Sequence, residues 1–238
     1  MEQVTIVRAR FHLNGNRSSL SDPVEPQSRY SKRAMARRWS LRPSHGVSPV
    51  YFITHPEVVI EPSVPVTEWT LSTQGMGRAQ RMLSQPWCRQ MGQIACSTER
   101  KSIEVAELMA RHLRVPCARY AGLGENDRSA TGYLPKEEFE ATADEFFSTP
   151  DRRVRGWETA RAAQARIVLT VDEVLRNAAA HSIAIVAHGG VGALLRCHLK
   201  GIPISRAEDQ PRQGSYFMFS RSEPRLVTNW QGIDEFPD

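Results

Sequence analysis

Two short apolar runs far apart in the chain, Val50-Tyr51-Phe52-Ile53 and Ile183-Ala184-Ile185-Val186-Ala187, each lead straight to a histidine, His55 and His188. Both runs read as strands. In α/β sheets ligands gather at the carboxyl ends of strands, so two imidazoles placed there can meet in one site although more than a hundred residues separate them. Such a pair suits chemistry on a phosphate.

From Val50 the chain alternates strand-like and helix-like segments. Gln93-Ile94-Ala95-Cys96-Ser97 reads as a strand, and Ile103, Ala106, Met109 and Leu113 then recur at helical spacing until Pro116 closes the helix. A polar, Gly-containing stretch from Gly122 to Leu134 reads as a surface loop, and Pro135 opens another helix. The longest helical pattern covers residues 157–180, with Ala160, Ala163, Ile167, Val171, Val174 and Ala178 on one stripe. After the Ile183 strand come a helix over Val191 to Leu199 and two β-rich runs, Ser215 to Ser220 and Arg225 to Trp230, read as a closing hairpin. This alternation predicts a three-layer α/β/α sandwich around a mainly parallel mixed sheet.

The 238 residues, 40% of them apolar, are enough for one catalytic-size domain with an appendage. No run approaches the roughly 18 apolar residues of a membrane helix, so no membrane partner is expected. The four cysteines show no CxxC spacing, which argues against a zinc site or a disulfide framework and fits a cytoplasmic location. Charge is uneven. Residues 1–48 carry nine Lys/Arg against three Asp/Glu, so the net charge of +5 belongs to this leader and not to residues 49–238. The leader lacks the apolar surface that offsets ordering entropy and is read as a disordered extension, or as an upstream start with Met35 the initiator. A nucleic-acid or anionic-surface arm and an organellar transit segment are the competing readings.

Ser97-Thr98-Glu99-Arg100 falls where a strand passes into a helix, so Ser97 or Thr98 is placed to cap it and Arg100 stands near its first turn. Free N–H groups at a helix start, joined by a guanidinium, make a phosphate clamp. His188-Gly189-Gly190-Val191-Gly192 sets small residues where backbone approaches a ligand.

Together these segments resemble the histidine phosphatase superfamily, the phosphoglycerate-mutase-like proteins, over about residues 49–230. The matching pieces occur in family order: the strand ending at His55, the Leu71-Ser72-x-x-Gly75-x-x-Arg78-Ala79 helix entry, Ser97-Thr98-Glu99-Arg100-Lys101, Glu125, and Ala187-His188-Gly189-Gly190. The resemblance implies a metal-independent phosphatase with no cofactor, acting on a small phosphorylated metabolite or phosphoprotein. His55 would be the nucleophile and form a phosphohistidine, Arg100 and His188 would neutralise the phosphoryl oxygens, and Glu125 would act as the acid and then the base, with Asp127 its rival. Thr54, Arg128, Ser129 and Gly189 would contact substrate.

The family's first motif is Arg-His-Gly, whereas this chain has Thr54-His55-Pro56. Threonine offers a neutral hydroxyl in place of a cation, and proline removes a backbone N–H. Glu61 stands where the family often carries a phosphate-contacting asparagine. These departures keep a second function open, a non-catalytic phosphate or phosphoprotein binding module. A phosphoglycerate-mutase-type phosphotransferase is a third, disfavoured because no long insertion separates Arg100 from His188.

Overall fold

A computed structural model describes residues 48–235. The predicted disordered extension over residues 1–48 therefore falls, but for Ser48, outside the described residues. The strands are β1 (Pro49–Thr54), β2 (Gln93–Cys96), β3 (Cys117–Arg119), β4 (Ile183–Ala187), β5 (Ser215–Ser220) and β6 (Gln231–Gly232). Between them run helices α1 (Thr73–Met82), α2 (Arg100–Leu113), α3 (Lys136–Ser148), α4 (Ala160–Asn177) and α5 (Gly189–Lys200). No helix among the described residues is long and apolar enough to cross a membrane.

The sheet order is β3-β2-β4-β1-β5-β6. β3, β2, β4 and β1 are parallel, and β5 and β6 close one edge antiparallel. The two central strands are apolar without alternation because both of their faces are covered. Val50 and Phe52 of β1, with Ile183 and Ile185 of β4, pack against the α4 and α5 stripe of Ile167, Val171, Val174, Val191 and Leu195. Tyr51 and Ile53, with Ala184 and Val186, face Ala79 and Met82 of α1 and Val105, Ala106 and Met109 of α2. The helices thus form a layer on each side, as the alternation predicts.

The long helix starts at Ala160, three residues later than its predicted start, because the Thr159 side chain accepts the Ala162 N–H and ends the preceding loop. The closing hairpin is also shorter than predicted. β5 matches the first run, but of Arg225 to Trp230 only Leu226 makes a bridge, to Phe219, and the paired strand is Gln231–Gly232. Met218 O accepts both Val227 N and Thr228 N, and the Thr228 hydroxyl takes up Met218 N–H, so the ladder is interrupted there.

Candidate active site

Register brings the histidines together. In the parallel β1–β4 pair Thr54 lies opposite Ala187, so the next residue of each strand is a site histidine, and His55 N–H donates to Ala187 O at 3.3 Å. The rings meet edge to face with centroids 5.3 Å apart. His55 is 9% exposed and His188 fully buried. Nδ1 of His55 lies 2.9 Å from Pro56 O. A carbonyl only accepts, so Nδ1 carries the proton and Nε2 keeps its lone pair. Burial, with His188 and Lys101 adding to it, pushes His55 down to about 3. Burial likewise takes His188 down to about 4 against the pull of Glu99. Both rings are neutral at neutral pH.

The cation beside them is Lys101, not Arg100. Arg100 turns its side chain, 58% exposed, to Glu104 on the surface of α2, at 3.1 Å. Lys101 is 2% exposed, donates to Val66 O at 2.7 Å and to Glu99 Oε2 at 2.5 Å, and acts on both histidines. One helical residue is a turn of about 100°, so the two side chains cannot share a face. Glu99, with the backbone dihedrals of an N-cap, makes no side-chain cap bond and sends its carboxylate into the pocket instead. Neither Ser97 nor Thr98 occupies the cap position: Ser97 Oγ accepts Glu99 N–H at 3.2 Å and lies 2.7 Å from His188 Nε2. Glu99 Oε1 is 3.3 Å from the same Nε2 and accepts Glu125 N–H at 2.7 Å. Burial opposes charge on Glu99, yet His188, Lys101 and these donors hold its carboxyl down at about 2.

Glu125 is brought to the first residues after His188 and Asp127 is not. The Glu125 carboxylate meets the start of α5, accepting Gly190 N–H and Val191 N–H at 3.0 Å each, and its own loop's Asn126 N–H at 3.1 Å. A Cβ on Gly190 would stand 2.8 Å from it, so the glycine admits the contact. Arg166 holds this loop by donating to the carbonyls of Gly122, Gly124 and Glu125 while paired with Glu158. Asp127 accepts Ser129 N–H, a bond that keeps its carboxyl below the ordinary range and its side chain outside the pocket. Ser129 is exposed. Arg128 lies over the Phe139 ring at 5.0 Å and contributes to the depression of His188. A cavity of about 330 Å³ lined by Ala121, Glu125, Asp127, Arg153, Glu158 and Arg166 adjoins the site through Glu125, without touching either histidine.

Thr54 is fully buried and committed to the scaffold. Its hydroxyl accepts Ser215 N–H at 3.0 Å and lies 2.5 Å from Gln210 Oε1. Gln210 also packs against Gly189, whose missing side chain leaves it the space. The loop after His55 is held by Arg78, buried and bonded to Glu57 at 2.7 Å, Asp234 at 3.0 Å and the carbonyls of Gln213 and Gly214. Gly75 lets α1 come into contact with the Glu57 carbonyl. Glu61 is exposed and does not enter the pocket. Among the described residues no group of three or more His, Cys, Asp or Glu is arranged to hold a metal ion.

Sequence reading missed Glu99, Lys101 and Gln210. Lys101 carried a signal, for Lys101, Val105 and Met109 recur every fourth residue on the buried face of α2, a face the predicted stripe shares at Ala106 and Met109 while its Ile103 and Leu113 are half-buried. Glu99 and Gln210 carried none.

The chain shares this architecture with solved structures. A mycobacterial glucosyl-3-phosphoglycerate phosphatase in complex with inorganic phosphate superposes with a TM-score of 0.64 at 18% identity, covering 79% of this chain and 99% of that one. Bacillus stearothermophilus YhfR gives 0.61 at 19% identity over 77% and 96% of the two chains. A phosphoserine phosphatase from Entamoeba histolytica, in complex with phosphoserine, gives 0.60 at 16% over 78% and 97%. At such identities the likeness establishes the fold. Comparison with curated proteins gives no match. The family model of the histidine phosphatase superfamily, branch 1, matches residues 50–224, the span that holds both histidines, Glu99, Lys101 and Glu125. The chain belongs to the histidine phosphatase superfamily.

Proposed function

We propose that the protein is a metal-independent phosphomonoesterase that works through a phosphohistidine at His55. The observation that carries this reading is the bond between His55 Nδ1 and Pro56 O, which leaves Nε2 as an unprotonated nucleophile in a neutral ring. Nε2 attacks phosphorus, the ester P–O bond breaks, and water later displaces the phosphoryl group from the ring. Lys101 is the cation that meets the phosphoryl oxygens, a part given to Arg100 from sequence. Glu125 is the carboxyl group that serves the leaving oxygen, a reading supported by its bonds to Gly190 N–H and Val191 N–H at the start of α5. The substrate is a phosphorylated metabolite or a phosphoprotein, and the chain carries out this chemistry in the cytoplasm.

A second reading has its own support. Glu99 balances Lys101, and Thr54 replaces a cation and is tied to Ser215, an arrangement that suits binding of a phosphate without turnover. Incubation with an aryl phosphate separates the two. The enzyme releases the phenol and, quenched early, carries an acid-labile phosphate, and both signals vanish in His55→Ala. A wild-type protein that binds the ester but neither turns it over nor becomes labelled is the binding module.

A further inference from the structure

A buried carboxylate inside a pocket meant for an anion calls for an explanation. Glu99 lies 3.3 Å from His188 Nε2 and acts on the charge of both histidines, so it borders the space where a phosphoryl group on His55 would lie. It also consumes donors such an anion would use, taking the Lys101 ammonium and the Glu125 N–H. Lys101 and Glu99 cancel, and both imidazoles are neutral. A fully ionised oxyanion entering here meets a carboxylate at close range in a dry site, where like charges repel strongly. An oxyanion that keeps one proton meets the same carboxylate as an acceptor, its O–H donating to Glu99, and the repulsion becomes a charge-assisted hydrogen bond.

We propose that Glu99 makes the histidine pocket a receptor for oxyanions that still carry a proton, inorganic phosphate and the monoanions of phosphomonoesters, and excludes fully ionised ones such as sulfate. The inference rests on the reading that oxyanions bind at the histidines, whether or not turnover follows. Phosphomonoesters lose their second proton at a pKa of about 6, so the ligand carries or lacks the deciding proton in an accessible range, while sulfate has none to give. Selectivity of this kind comes from a repulsive element built against the wrong ligand. The titratable and charged groups around the pocket are His55, His188, Glu99, Lys101 and Glu125, with Arg128 and the Glu158-paired Arg166 acting from the loop and from α4. The histidines stay neutral well below the pH range in which the ligand titrates.

Calorimetric titration of the full-length protein with inorganic phosphate, methylphosphonate and sulfate, between about pH 6 and pH 8.5, tests this. Inorganic phosphate keeps one O–H even as its dianion and should bind across the range, whereas methylphosphonate affinity should fall about tenfold per pH unit once its monoanion is being depleted, as one required proton dictates. Sulfate should bind on the order of 10⁴-fold more weakly than phosphate at the acid end, as expected where a site relies on a ligand hydrogen. In Glu99→Gln the pH dependence should flatten and sulfate should gain affinity. Equal binding of sulfate and phosphate by the wild type, or a Gln variant that keeps the selectivity, overturns the proposal and leaves the phosphatase reading untouched. Should the variant fail to fold, the wild-type sulfate comparison still decides. Selective phosphate binding without aryl phosphate hydrolysis sustains the proposal and removes the phosphatase, and no binding of either anion at any pH overturns both.

Discussion

At the scale of single residues, adjacent positions on one helix carry opposite assignments. Arg100 is the more familiar phosphate ligand, yet its side chain lies on the solvent side of α2, and Lys101 is enclosed with Glu99 and His188. Lys101→Met should lower kcat/KM for an aryl phosphate on the order of 10²- to 10³-fold, the usual cost of removing a transition-state contact. Arg100→Met should change it by less than about threefold, as for other exposed substitutions. Steady-state kinetics on the pair checks this, and the reverse ranking would return the role to Arg100. The histidines were legible because each ends an apolar run. Residue type alone could not separate Arg100 from Lys101, since the choice depends on which face of α2 packs on the sheet.

Among the elements, α1 and the loop after β1 act as a unit. The Leu71 to Ala79 pattern was legible as a helix entry, but its purpose becomes visible only where Gly75 touches the Glu57 carbonyl and Arg78 reaches Glu57 and, 156 positions further on, Asp234. Ser72 caps the helix by accepting Gly75 N–H at 3.0 Å, which sets the position of its first turn against that loop. Arg78→Met leaves the Glu57 carboxylate and the Gln213 and Gly214 carbonyls without this donor, while Asp234 keeps Arg81. Stability should fall by about 3–5 kcal/mol, as for other broken buried pairs. Urea denaturation measures the loss, and a shift below about 1 kcal/mol would mean that the Glu57 loop does not depend on Arg78. The hairpin at the other edge was misplaced from sequence for a physical reason: β propensity marks Arg225 to Trp230 well, but a side-chain hydroxyl, from Thr228, takes over a ladder bond there.

For the whole molecule, the buried histidines connect active-site chemistry to stability. Their folded-state values, about 3 and about 4, lie below the ordinary 6.5, so between those limits the unfolded chain binds more protons and stability rises with pH. Glu99, held at about 2 from 4.5, adds stability that is present above 4.5 and lost as pH falls towards 2, the same direction in a lower window. Acidification from about pH 7.5 to about pH 5 should therefore cost about 2 kcal/mol per histidine, and His188→Asn should remove its share of the slope. Urea midpoints across that range test it; a flat profile would mean that the rings are not buried as neutral species. The sequence by itself determined the layered α/β architecture and the two strand-end histidines, and it left Glu125 and Asp127 as rivals in the loop. Apolar periodicity and chain order are local properties that survive without coordinates. Tertiary structure alone decided that Lys101 and not Arg100 is enclosed beside the histidines, that Thr54 is tied to Ser215, and that Glu99 lies against His188. These outcomes depend on strand register and on which face of a helix is covered, quantities set by contacts between residues distant in the chain.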